Sequence, residues 1–280
     1  MDLQQYLDKA VTFISKAEAI LITAGAGMGV DSGLPDFRGK EGFWRAYPFA
    51  RKLGVSFEQM ANPRWFDQDP HLAWAFYGHR LNLYRQTTPH KGFDILLRWA
   101  KSKPYGYFVF TSNVDGQFQK AGFSENYIVE IHGSIHHLQC TQPCSDDIWP
   151  ADNVEIKIDL DRFKALDPLP RCPYCGQVAR PNILMFGDWS WVSLRTDAQQ
   201  ATFQAWLSAI RKNKVRLVIV EIGAGTAVPT VRMTSENLAL SLNASLIRIN
   251  PRESELYSSI PGVSLPLGAL VALERIRKHL

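Results

Sequence analysis

The chain has 280 residues, 46% of them hydrophobic and 21% charged, which suits one large α/β domain or one carrying a smaller module and argues against long disorder. A net charge of +4, spread thinly, does not point to nucleic acid as a partner. No apolar run approaches the roughly 20 residues that span a bilayer, so no membrane partner is expected and the protein reads as cytoplasmic.

In chain order, Leu3, Tyr6, Leu7, Ala10, Val11 and Ile14 recur at helical spacing and are interrupted by charge, which reads as an amphipathic helix rather than a secretory leader. A short apolar strand, Ala19 to Thr23, then leads into the turn Gly25-Ala26-Gly27-Met28-Gly29. Residues 44–87 are rich in aromatic side chains and read as helical. Buried strands are expected at Tyr107–Thr111, Tyr127–Ile131, Arg216–Ile222 and Ser245–Ile249, with helices at Gln199–Lys212 and Ala269–His279. Apolar strands alternating with helices imply an α/β fold with a mostly parallel sheet covered on both faces. Two stretches break the rhythm. Residues 44–87 and 138–181 are expected to fold together as a small module beside a large domain of residues 1–43, 88–137 and 182–280.

The four cysteines all fall between 140 and 175, a cluster that reads as metal binding rather than a disulfide framework. Cys140 and Cys144 are separated by three residues, Cys172 and Cys175 by two, and the pairs by 27. Paired thiolates suit tetrahedral Zn2+. The first pair is one residue wider than usual and the gap is long, so unliganded thiols are the alternative. With four protein ligands no coordination position remains for substrate, so the zinc is expected to be structural.

A strand running into closely spaced glycines lets backbone N–H groups approach a pyrophosphate. Here Val30 stands where the ordinary dinucleotide fingerprint has its last glycine, and Arg45 stands near the position of its acidic residue. A hydride-transfer enzyme is therefore disfavoured, and the turn by itself is equally a tight structural turn.

The longer run Gly25-Ala26-Gly27-Met28-Gly29-Val30-Asp31-Ser32-Gly33-Leu34-Pro35-Asp36-Phe37-Arg38-Gly39 resembles the signature of the sirtuins, in which GAG leads through SG-x-P-DFRG. Thr111-Ser112-Asn113-Val114-Asp115 is similar to that family's TQNID, and Ile131-His132-Gly133-Ser134 to its catalytic HG segment. Arg180-Pro181 with Phe186-Gly187-Asp188 looks like its RP…FGE, and Gly223-Ala224-Gly225 and Ile249-Asn250 like two late nucleotide-contacting segments. The blocks appear in the family's order.

The resemblance implies a Rossmann-like, doubly wound large domain, a small zinc module formed by two insertions, and NAD as co-substrate. It implies that Ala24, Gly25, Ala26, Gly27, Asp36, Phe37 and Arg38 line the nicotinamide and ribose region. It assigns Ser112, Asn113 and Asp115 to the nicotinamide and its ribose, and Gly223, Gly225 and Asn250 to the phosphates and adenosine. The implied activity is removal of acyl groups from lysine in a protein or peptide, with release of nicotinamide and O-acyl-ADP-ribose and with His132 as general base, Phe186 and Gly187 contacting substrate. Histidine suits that step because its ordinary pKa lies near working pH. His136 and His137 match no motif and read as structural or exposed.

Several positions depart from the family: Gly29 replaces a serine, Ser112 a glutamine, Asp188 a glutamate, and Ala224 and Gly225 the threonine and serine of a GTS segment. These changes favour, as an alternative, protein mono-ADP-ribosyl transfer or NAD hydrolysis in the same pocket. A non-enzymatic NAD sensor is opposed by the presence of His132, Asn113 and Asp115. Tyr77 and Arg80, three apart on an expected helix, are neighbours on one face. Their spacing resembles the Tyr-x-x-Arg pair of sirtuins that prefer succinyl, malonyl or glutaryl lysine. Periodicity alone favours a core Tyr77 and a solvent-facing Arg80.

Overall fold

A computed structural model describes residues 3–36 and 39–280 of the chain. The first helix, α1 (Leu3–Lys16), buries Leu7, Ala10 and Ile14 on one face, as their spacing requires. Strand β1 (Ala19–Ala24) is buried along its whole length. Five helices follow: α2 (Gly39–Ala46), α3 (Pro48–Lys52), α4 (Phe57–Met60), α5 (Arg64–Gln68) and α6 (Pro70–Gln86). Next come α7 (Lys91–Lys101), β2 (Tyr107–Thr111), α8 (Gln117–Lys120) and β3 (Ile128–Glu130). A second irregular stretch holds β4 (Gly133–Cys140), β5 (Trp149–Pro150), β6 (Ile158–Asp159), β7 (Lys164–Ala165) and β8 (Ala179–Ile183). The chain closes with α9 (Leu194–Lys212), β9 (Leu217–Ile222), α10 (Thr230–Ser241), β10 (Ser245–Ile249), β11 (Gly262–Leu265) and α11 (Ala269–Arg277).

Six parallel strands form the main sheet in the order β11-β10-β9-β1-β2-β3. Counted along the chain, this is the doubly wound order of a Rossmann-like fold, with its reversal between β1 and β9. Alternate residues of each strand face opposite sides. Ile20, Ile22, Val109, Val218, Val220 and Ile247 pack under α1, α7 and α11. Ala19, Leu21, Phe108, Phe110 and Ile219 pack under Phe203, Leu207 and Ile210 of α9 and Val231 and Ala239 of α10. Both faces are therefore covered.

The edge strands depart most from what the sequence suggests. β3 is trimmed at each end, and β11 is a strand that patterning does not reveal, because only four residues separate Pro261 from Pro266. α9 begins at Leu194, earlier than the expected Gln199, where the Ser193 hydroxyl donates to Asp197 at 2.6 Å.

A second core gathers the two irregular stretches. Phe43, Tyr47, Met60, Phe66, Trp74, Phe76 and Leu81 of α2–α6 pack against Ile135, Leu138, Ala151, Ile156 and Ala179. α6 is buried on nearly every side, and its Trp74 indole donates to the Ala179 carbonyl at 2.8 Å. β4 pairs antiparallel with β8, and β5 flanks β4. These strands run through positions 137–138 and 181–182, tying this core to the main sheet by continuous backbone.

Candidate active site

The loops leaving β1, β2 and β9 at their carboxyl ends bound a cavity of about 420 Å³. It lies where the strand order reverses, the place in which such sheets collect ligands. After β1 the backbone enters a 3-10 turn, Ala26–Met28. A Cβ on Gly25 would lie 2.8 Å from the Gly223 carbonyl oxygen, and one on Gly223 (φ +64) would lie 2.4 Å from the Gly27 Cα. Glycine is therefore required at both positions by backbone contact. The Gly27 N–H donates to the Gly223 carbonyl at 3.1 Å and the Gly223 N–H to the Ile249 carbonyl at 2.9 Å, so three loops meet here.

The β2 loop is fixed to the same turn. Ser112 N–H and the Thr111 hydroxyl both donate to the Ala24 carbonyl, at 3.1 and 3.0 Å. The Asn113 amide donates to the Gly25 carbonyl at 3.0 Å. Asp115 sits half-buried at the cavity wall and accepts the Gln117 N–H at 3.0 Å. Burial is the main reason that its carboxyl pKa rises to about 6; Glu130 adds to the rise, and the Gln117 N–H and Arg80 oppose it.

His132 lies in the link between β3 and β4. Its carbonyl accepts the Leu184 N–H at 2.9 Å, while the preceding Ile131 N–H donates to the Thr111 carbonyl at 3.0 Å. At Gly133 (φ +76) a Cβ would fall 2.1 Å from the Asn182 carbonyl oxygen, so the chain after His132 lies hard against β8. The ring lines the cavity. Burial lowers its pKa, and a hydrogen bond to the Ser112 backbone partly offsets this; the net shift favours the neutral imidazole, the form that accepts a proton.

The far wall comes from the second core. Tyr77 and Arg80 of α6 line the cavity, and both side chains are buried, so the expectation of an exposed Arg80 does not hold. The Arg80 Nε donates to the Tyr84 hydroxyl at 3.0 Å, and its guanidinium lies 5.4 Å from the Phe76 ring centre and 5.7 Å from that of Tyr77. The Tyr77 hydroxyl is buried without a hydrogen-bond partner among the described residues. Burial raises its pKa, keeping it protonated and able to donate.

The expected residues divide as follows. Gly25, Ala26, Asp36, Tyr77, Arg80, Ser112, Asn113, Asp115, His132, Phe186, Gly223 and Gly225 line the cavity. Ala24, Gly27, Gly187 and Asn250 do not. Asn250 is wholly buried: its amide donates to the Ala224 carbonyl at 2.9 Å, and its oxygen accepts the Arg252 and Glu253 N–H groups, each at 3.0 Å. It braces two loops. Phe37 and Arg38 lie outside the described residues.

The four cysteine sulfurs lie within 4.8 Å of one another, with Cys140–Cys175 and Cys144–Cys172 each at 3.6 Å. Zn–S bonds of about 2.3 Å put tetrahedral sulfurs roughly 3.8 Å apart, whereas a disulfide needs about 2.05 Å. The set therefore fits a structural zinc. Cys172 and Cys175 are held by a tight turn in which the Gly176 N–H donates to the Cys172 carbonyl at 3.0 Å.

Residues 25–219 match the model of the Sir2 family. The chain belongs to that family. A relative from Aeropyrum pernix, named an NAD-dependent protein deacylase, is 29% identical over 254 residues, covering 91% of this chain and 89% of that one. A Fusarium oxysporum f. sp. cubense protein, named a probable bifunctional ADP-ribose hydrolase/ADP-ribosyltransferase, is 29% identical over 259 residues, covering 88% of this chain and 42% of that one. A solved Sir2 homologue, a mutant in complex with 2'-O-acetyl ADP ribose, superposes with a TM-score of 0.67 at 24% identity, covering 99% of this chain and 96% of that one. That likeness concerns the fold.

Within this Sir2 fold, the aspartate that departs from the FGE pattern has a defined role. Asp188 forms a two-pronged ion pair with Arg180, both side chains fully buried, and also accepts the Met185 and Ser190 N–H groups at 3.2 and 3.1 Å. It shapes the Met185–Phe186–Gly187 loop. Phe186 N–H in turn donates to the Ala61 carbonyl at 2.9 Å, and the Asn62 amide donates to the Phe186 carbonyl at 2.8 Å.

His90 was not singled out by sequence reasoning. Its Nδ1 accepts the Gly92 N–H at 3.0 Å, which leaves Nε2 to donate to the Met28 carbonyl at 2.9 Å. It thus caps α7 and holds the glycine turn at once. A histidine just after Pro89 at a helix start was the available signal.

The Asp115 environment makes stability depend on pH. Its folded pKa of about 6 exceeds the ordinary 3.8, so between those values the native state binds the extra proton and stability falls as pH rises through the window. Asp115→Asn should therefore stabilise the protein by about 2 kcal/mol at pH 7 and leave it nearly unchanged below pH of about 4. Thermal unfolding of both proteins at the two pH values measures this; an equal effect at both contradicts it.

Proposed function

We propose that this Sir2-family protein is an NAD-dependent protein lysine deacylase that releases nicotinamide and O-acyl-ADP-ribose. One observation carries the reading: a partly buried His132 lines the same cavity as Asn113, Asp115 and the glycine turn, and burial lowers its pKa. NAD supplies an electrophilic ribose carbon with nicotinamide as leaving group. The cavity suits it, because Gly25, Ala26, Gly223 and Gly225 bring backbone to the wall; the Gly25 and Gly223 N–H groups are spent on the Ile222 and Ile249 carbonyls, so contact with a pyrophosphate falls to the N–H groups of Ala26 and Gly225. Asn113, with Ser112 and Asp36 lining the same cavity, orients the nicotinamide half, and the Asp115 carboxylate accepts from a ribose hydroxyl. Ala24, Gly27 and Asn250 act from behind, holding these loops in register. The residue ranges 1–43, 88–137 and 182–280 form the nucleotide-binding domain in this reading, and 44–87 and 138–181 the small module.

In the reaction, the acyl oxygen of the substrate lysine displaces nicotinamide from the ribose. His132 then takes the proton of a ribose hydroxyl as that oxygen attacks the acyl carbon, and water completes release of the lysine. Phe186 flanks the substrate from the cavity wall, and Gly187 (φ +67) turns the loop that carries it. The preferred acyl group is acidic, such as succinyl, with the Tyr77 hydroxyl and the Arg80 guanidinium donating to its distal carboxylate. The unpartnered Tyr77 hydroxyl and the burial of Arg80 at the cavity support this. A second reading, transfer of ADP-ribose to protein, is favoured by the name of the Fusarium relative.

His132→Ala should lower acyl-dependent deacylation by at least about a hundredfold, the usual contribution of a general base, while NAD affinity measured by calorimetry changes little. Deacylation within tenfold of wild type contradicts the assignment. Arg80→Met should reduce the succinyl-to-acetyl ratio of kcat/KM by about tenfold, equivalent to about 1.4 kcal/mol from one charge-assisted bond. An unchanged ratio on succinyl- and acetyl-lysine peptides removes Arg80 as the selector.

A further inference from the structure

β4 and β8 pair at Ser134–Asn182, part at a bulge over Ile135–His137, and resume through Leu138–Pro181, Gln139–Arg180 and Cys140–Ala179. Residues opposite one another across an antiparallel pair share a face, as do residues two apart on one strand. Gln139, Arg180 and Asn182 therefore stand on one face of this pair, and all three are fully buried. Polar side chains on a buried face need polar partners. The loop after β8 supplies them by folding back across that face.

Each side chain holds a different part of the loop. Arg180 pairs with Asp188 at the turn and donates from Nη2 to the Ile183 carbonyl at 3.3 Å. Gln139 holds the returning segment: its Nε2 donates to the Ser190 carbonyl at 2.8 Å, and its Oε1 accepts the Val192 N–H at 3.0 Å. Asn182 donates to the Val192 carbonyl at 2.8 Å and to Gln139 Oε1 at 3.0 Å. The second Gln139 N–H goes to the Cys140 carbonyl at 3.2 Å. Two side-chain amides thus take the place of a neighbouring strand for residues 190–192 and close the loop across its base. The start of the same loop is fixed to the link that carries His132, because the Leu184 N–H donates to the His132 carbonyl at 2.9 Å.

What the clamped loop presents outward is apolar. Leu184 and Phe186 are exposed where they line the nucleotide cavity, and Trp189 is 99% exposed. Gln139 and Asn182 do not line the cavity, so any effect they have on a ligand there passes through the loop. We infer that Gln139, together with Asn182, is a positioning residue for the acyl peptide: the clamp sets where Leu184 and Phe186 stand at the cavity mouth and takes no part in holding NAD. The inference rests on the reading of the protein as a peptide deacylase.

The test uses the whole protein and two fluorescent peptides, one carrying succinyl-lysine and one acetyl-lysine, titrated without NAD so that no turnover occurs. Gln139→Met keeps the bulk of the side chain and removes its four hydrogen bonds. It should weaken whichever peptide binds by about tenfold, equivalent to about 1.4 kcal/mol, while NAD affinity by calorimetry and zinc content stay at their wild-type values. Amide exchange should rise across residues 184–192 and stay unchanged across 25–28. Because Gln139 adjoins Cys140, Asn182→Leu removes loop bonds from β8 without touching the cysteines, and it should show the same split between peptide and NAD. Peptide affinity within about twofold of wild type in both variants overturns the inference. NAD affinity that falls in step with peptide affinity marks a general loss of structure and overturns it equally. Wild-type protein that binds neither peptide removes the deacylase reading and the inference with it.

Discussion

The architecture turns on a backbone contact that side chains would forbid. At the reversal between β1 and β9, the turn after β1 and the loop after β9 touch through Gly25, Gly27 and Gly223, closer than any Cβ allows. Bringing these loops together aligns the carboxyl ends of β1, β2 and β9 into one rim. Asn113 is then tied to Gly25, Ser112 to Ala24, and Asn250 to Ala224, so each loop holds the next. The cavity is less a gap between domains than the consequence of one crowded point.

Two buried ion pairs stiffen the surroundings of that rim. Arg180 and Asp188 fix the loop carrying Phe186, and that loop is stitched to Ala61 and Asn62 of the helical core. Arg248 on β10 bonds Glu221 on β9 at 2.5 and 3.0 Å and Glu236 on α10 at 2.7 Å. Buried pairs add little net stability over apolar packing, but removing one partner costs about 3–5 kcal/mol. Their effect is to specify one arrangement of loops rather than to strengthen the fold. Against this stiff frame Asp115 is held where ionisation is costly, which is common where a carboxylate serves a ligand.

Much of this was legible in the chain. Fully apolar strands gave the parallel sheet, and the ordered motif blocks led to the residues that line the cavity, because glycines in contact and a histidine beside a strand end leave local marks. What escaped depended on tertiary contact. β11 is too short to show a period, the bulge at Ile135–His137 is visible only once β8 is opposite, and Asn250 braces loops from below although its motif suggests ligand contact. Arg80 reads as solvated from its own helix, since the aromatic rings that enclose it come from α4 and α6 together. Asp188 looks like a loss relative to glutamate until its pair with Arg180 is seen.

One cavity is proposed to couple cleavage of NAD to removal of a lysine acyl group. The most direct measurement incubates the protein with NAD and a succinylated peptide and follows nicotinamide, free lysine peptide and O-acyl-ADP-ribose separately by mass spectrometry. All three should appear in equal amounts, and none should appear without the acyl peptide. Nicotinamide released without acyl peptide, with ADP-ribose appearing on protein or in solution, would contradict that coupling.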